Sequence, residues 1–247
     1  MTATNPIPEK QVSEFLARLQ QAAGSNLESV ILYGSAVAGE YHPEHSNFNL
    51  LCIFQDTALT KLLAVATAVE WWTKQKHPFP LMFTEVELKR SADVFSIELL
   101  DMKQQHRVLL GRDVLASLEL PMHWHRAQIE YELEEKLILL RRELLLASGD
   151  RQRTWNLLLK SVSAFCTLFR HVLLVQRKPM AASKREAVKA LAGSIGCDAS
   201  AFEQVLDIRE KRTDPKSLDV VDVAARYIAT VERVAAAVDR MPDAVRN

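Results

Sequence analysis

A chain of 247 residues that is 48% apolar and 25% charged can bury the core of one large or two small globular domains. Its 31 basic and 31 acidic residues cancel, which argues against the general electrostatic footprint of a nucleic-acid-binding surface. The opening MTATNPIPEK lacks the apolar stretch of a secretory leader, and no apolar run is read as long enough to span a membrane. Cys52, Cys166 and Cys197 lie too far apart for a zinc or disulfide framework, so a cytoplasmic protein with reduced thiols is expected.

Residues 8–23 place Val12, Phe15, Leu16 and Leu19 on one helical face, with Gly24 as the stop. Residues 30–33 are a short apolar run that meets Gly34-Ser35, the pattern of a buried strand entering a tight turn. A polar loop carries His42 and His45, and residues 48–54 form a second strand returning beside the first. Asp56 or Thr57 then caps a helix to about residue 76, with Leu62, Val65, Val69 and Trp72 at helical spacing and His77-Pro78 as its end. Residues 79–83 read as a short strand. Thr84 and Glu87 match a capping box for a helix over 85–91. Residues 95–102 fit a third strand and a helical turn equally well, and 108–111 lead out of the first domain.

After Pro121 the pattern becomes wholly helical. Ile129, Leu133, Leu137, Leu140 and Leu144 share a face of a long helix over 123–147, which Gly149-Asp150 breaks. A second long helix over 151–176 carries Trp155, Leu158, Val162, Phe165, Phe169 and Val172. Ser183 with Glu186, and Ser200 with Glu203, are capping boxes for two shorter helices. Asp214-Pro215 precedes a last helix in which Tyr227, Val231, Val234 and Val238 align. Five helices with short connections predict an antiparallel bundle. The domains are therefore placed at 1–120 and 121–247, an α/β (α+β) domain with a small mixed sheet followed by an all-α bundle.

The stretch VILYGSAVAGEYHPEHSNFNLLCIF resembles the nucleotidyltransferase superfamily, including its minimal members related to DNA polymerase beta. That signature is a strand, Gly-Ser, about ten residues, and Asp-x-Asp on the next strand. Gly34-Ser35 stands in place, but the Asp-x-Asp position reads Asn47-Phe48-Asn49. A helical domain after the catalytic one is common in the superfamily. The bundle also resembles the helical partner domain of toxin–antitoxin modules, but no Arg precedes His171 at the spacing that the RNase form of those domains carries.

What the resemblance implies can be weighed residue by residue. Gly34 lets the backbone approach a phosphate, and Ser35 would touch a nucleotide phosphate. Nucleotidyl transfer uses Mg²⁺ or Mn²⁺ bridging a triphosphate, and these ions call for hard, charged oxygen ligands. Residues i and i+2 of a strand share a face, so Asn47 and Asn49 keep the ligand geometry while offering only neutral amides. Two missing charges at a partly desolvated ion cost several kcal/mol, roughly a thousandfold in rate or more. Glu98, in Ile97-Glu98-Leu99-Leu100, is the nearest match to the third carboxylate. His42 and His45 could bind a softer ion, although loop histidines are ordinarily just solvated. His123 and His125 flank Trp124 near the domain boundary, where they read as helix-start or cleft-lining residues. Three readings follow. The first is a nucleotidyltransferase-fold protein with a degenerate two-metal site that acts by binding a nucleoside triphosphate or a protein partner. The second is an active enzyme that transfers a nucleoside monophosphate to a small molecule or protein through Glu98 and non-standard ligands. The third is a structural or antitoxin-like interaction module.

Overall fold

A computed structural model describes residues 9–34, 36–37 and 48–242, divided into two compact units, Met1–Pro121 and Met122–Asn247. The first unit is built on four strands, β1 (Leu27–Tyr33), β2 (Asn49–Phe54), β3 (Leu81–Thr84) and β4 (His106–Gly111), in the order β3-β2-β1-β4. β1 runs antiparallel to both β2 and β4, whereas β2 and β3 are parallel. Side-chain alternation divides β1 and β2 between two apolar layers. Val30, Leu32, Leu50, Cys52 and Phe54 pack with Phe15 and Leu19 of α1 (Glu9–Ala23) and Trp72 of α3 (Ala66–Lys74). Ile31, Leu51 and Ile53 pack on the opposite face, with Leu88 of α4 (Glu85–Arg90) and Leu99 and Met102 of α5 (Ser96–Gln104). Burial pushes the Cys52 thiol up to about 12, so it stays protonated as a core residue.

Several local expectations change. The single helix expected to reach residue 76 is two, α2 (Leu59–Ala64) and α3, separated at Val65. Neither expected cap acts as one. The Asp56 carboxylate accepts from the Ala58 amide ahead of the helix, and the Thr57 hydroxyl donates to Glu87. Phe79 lies outside β3 and is exposed. The stretch 95–102 is helical from Ser96 onward, with Phe95 at the cap position, and it buries Ser96, Ile97, Leu99 and Met102 while Phe95 and Glu98 are exposed. The Thr84 capping box forms in both directions, with the Glu87 amide 3.1 Å from the Thr84 hydroxyl and the Thr84 amide 2.7 Å from the Glu87 carboxylate.

The second unit holds α6 (His125–Leu146), α7 (Arg151–Val175), α8 (Lys184–Ile195), α9 (Ser200–Arg209) and α10 (Val220–Asp239). α7 packs against all four others. Contrary to the sequence reading, α7 is long and apolar enough by length and composition to cross a membrane, but half of its most apolar window is buried within the protein. Phe165, Phe202 and Tyr227 form its aromatic centre, with Phe202 stacked on Tyr227 at 4.0 Å and 10°. Ser200 does not cap α9: Ala199 holds that position, and the Ser200 amide and hydroxyl both donate to Asp198. His125 is a core residue, with Nε2 3.1 Å from Nδ1 of the equally buried His171.

Candidate functional site

The site builds from the end of β1. Tyr33 closes the strand, and Gly34 takes a left-handed φ of +83° that any side chain would resist. The Val37 amide returns to the Gly34 carbonyl at 2.9 Å, closing the turn. Tyr33 is paired with Asn49 on β2 and with His106 on β4, so three polar side chains cross one end of the sheet in a row. Period-two alternation puts Asn49 on the face of Leu51 and Ile53, the face covered by α4 and α5. Of the residues singled out from the sequence, Gly34, Asn49 and Glu98 can be placed. Ser35, Asn47, His42 and His45 lie outside the described residues.

Gly34 and Asn49 meet closely. A Cβ on Gly34 would stand 3.0 Å from the Asn49 side-chain nitrogen. We predict that Gly34→Ala loses roughly 1–2 kcal/mol of stability, because alanine must hold a left-handed backbone and displace that amide. A urea melt checks this, and an unchanged midpoint would contradict the tight approach.

Glu98 sits on α5, so it is no strand neighbour of Asn49, and its side chain is exposed. Even so, its charge reaches the same end of the sheet. Burial first, and the Glu98 carboxylate second, push the Tyr33 phenol up to about 12. At neutral pH Tyr33 therefore remains a protonated hydroxyl, able to donate toward an anion.

Sequence reasoning missed Tyr33 and His106. Both ring nitrogens of His106 face acceptors, Nδ1 the Met102 carbonyl at 2.9 Å and Nε2 the Asp113 carboxylate at 3.0 Å. Burial pushes the Asp113 carboxyl up, but the bonds from His106 and from the Ala116 and Leu115 amides hold it below the usual range. The Met102 bond ties the start of β4 to α5 beside Tyr33, and the Asp113 bond ties it to the segment after the strand. No spacing rule announces that tie. Only the pairing of β4 with β1 brings His106 and Tyr33 together.

The resemblance implies two divalent ions at this turn, which need several charged oxygen ligands. Among the described residues no group of three His, Cys, Asp or Glu side chains could hold a metal ion. Asn49 offers Mg²⁺ a neutral oxygen without compensating charge. The described residues therefore do not fit a standard two-ion site.

No family model matches the sequence, and no curated protein matches it. Among solved structures, the chain is similar to spectinomycin adenyltransferase AAD(9) from Enterococcus faecalis, crystallised with ATP and spectinomycin. The TM-score is 0.59 at 14% identity, over 92% of this chain and 98% of that one. With the mixed sheet and the helices that follow it, this likeness shows that the chain carries a nucleotidyltransferase-like fold followed by a helical region.

Proposed function

We propose that this protein is a nucleotidyltransferase-fold module with a degenerate metal site, which binds a nucleoside triphosphate at the Gly34 turn and acts through that binding or through a protein partner. One observation carries the reading. Asn49 opens β2 beside Tyr33 and against Gly34, at the position where the resemblance calls for a metal-binding carboxylate. Turn amides and a protonated Tyr33 suit phosphate oxygens, whereas a neutral amide leaves a divalent ion without its counter-charge. Nucleotidyl transfer by this chain is accordingly impaired or lost. The structural neighbour was solved with ATP and a small molecule, which supports a triphosphate as the ligand class.

The test is calorimetric titration of the full chain with ATP and with GTP, each in Mg²⁺, in Mn²⁺ and in excess chelator. Binding that changes by less than about threefold between Mg²⁺ and chelator is expected, a difference under ~1 kcal/mol. Binding that requires the ion, accompanied by nucleotide transfer to a small molecule or protein, would overturn the degenerate-site reading. It would favour an active enzyme instead, a reading supported by the electrostatic reach of Glu98 to Tyr33. No binding at all would leave a structural or antitoxin-like interaction module.

A further inference from the structure

α6 is apolar on two sides. Ile129, Leu133, Leu137 and Leu140 are buried in the bundle, as its amphipathic pattern demands. The opposite side carries Tyr131, Ile138 and Leu145, which are 64%, 60% and 77% exposed. Their seven-residue spacing keeps them in one stripe along about four turns, roughly 21 Å. Leu139 and Leu146 widen it, and both are also exposed. A stripe of this kind on a solvated helix marks a contact surface.

The charges beside the stripe indicate what covers it. Glu134 and Glu135 lie just before Ile138, Arg141 and Arg142 just after it, and all four are exposed. In an antiparallel helix pair centred on Ile138, each flank meets the same flank of the other helix running in reverse. Tyr131 then meets Leu145, Glu134 meets Arg141, and Glu135 meets Arg142, each pair made twice by the two-fold axis. The surface is therefore complementary to itself. A parallel pair would set Glu against Glu and Arg against Arg. Within one chain Arg141 bonds Glu232 and Arg142 bonds Glu143, both as solvent-exposed pairs that contribute little and exchange at small cost.

We propose that a second copy of this chain docks on the outer face of α6, giving an antiparallel, isologous dimer centred on Ile138. The contact is independent of the nucleotide reading, since it uses no residue of the first unit.

Sedimentation velocity on the full chain from about 1 to 100 μM tests it. The wild-type protein is expected to show concentration-dependent dimerisation. Ile138→Glu is expected to raise the dimer dissociation constant at least tenfold with an unchanged melting temperature, because the site is exposed. Two further variants test the pairing: one carries Glu134→Lys with Glu135→Lys, the other Arg141→Glu with Arg142→Glu. Each alone should be monomeric, and an equimolar mixture should form a heterodimer. A wild-type protein that stays monomeric over this range overturns the proposal, as does an Ile138→Glu variant that dimerises like wild type. So does a mixture of the two charge variants that remains monomeric, which would also leave the stripe to a different protein partner.

Discussion

Replacing Gly111 by alanine is expected to destabilise the first unit by about 2–5 kcal/mol, more than the loss expected at Gly34. Two costs add. Gly111 holds a left-handed φ of +72°, which alone costs alanine roughly 1–2 kcal/mol. A Cβ there would also overlap the Glu28 carbonyl oxygen and stand 3.1 Å from the Ser29 Cα. Those atoms belong to β1, the central strand, held between β2 and β4, so they cannot yield without disturbing two ladders. Overpacking of that kind adds about 1–3 kcal/mol. The seam is already tight, because the buried Ser29 hydroxyl lies 3.0 Å from the Leu110 carbonyl and 2.8 Å from that of Arg112. Set against a typical domain stability of about 5–15 kcal/mol, such a loss brings the first unit close to unfolding. Guanidinium melts followed by tryptophan fluorescence would show it, since Trp72 is buried in that unit. A loss under about 1 kcal/mol would mean that β4 does not approach Glu28 so closely.

The second large effect is a gain. Restoring Asn47→Asp together with Asn49→Asp is expected to make triphosphate binding depend on Mg²⁺ by at least about tenfold, or ~1.4 kcal/mol. Asn49 is placed by its ladder partner Tyr33, and its side chain lies on the face covered by α5. Asn47, two residues earlier in the sequence, lies outside the described residues, and the resemblance calls for the companion carboxylate there. Two carboxylates sharing one ion site, as the resemblance implies for these positions, repel one another until a cation neutralises them. Added Mg²⁺ should therefore raise the melting temperature of the variant and leave that of the wild type unchanged. Calorimetry with ATP and thermal melts with and without Mg²⁺ check both halves. A folded variant indifferent to Mg²⁺ would show that more than two charges separate this turn from an ion site.

Much of the architecture was legible because period and capping act locally. The apolar faces of α7 and α10 follow from helical spacing, and Thr84 with Glu87 announces the start of α4 three residues apart. Where the sequence reading stayed open or failed, two local options matched. The buried Ser96, Ile97, Leu99 and Met102 of α5 suit more than one period. Ser200 loses the capping role because its amide and hydroxyl both donate to the Asp198 carboxylate, one residue before the Ala199 that holds the cap position. The candidate site was half legible. Gly34 just after β1 and Asn49 at the start of β2 stand within one motif, whereas Tyr33 gains a meaning only from its neighbours. His106 reaches Tyr33 through a ladder between residues far apart in the chain, and no window of sequence contains both.

The central place of β1 also governs how the chain emerges from the ribosome. β2 can pair with β1 soon after both are made, but β4 is synthesised only after β3 and two further helices. At about 5–20 residues per second, β1 waits several seconds with one edge unpaired. During that interval the nascent protein presents an apolar strand, LESVILY, to any other strand or chaperone nearby. Slower translation between residues 54 and 106 lengthens the exposure. The arrival of Gly111 opposite Ser29 ends it.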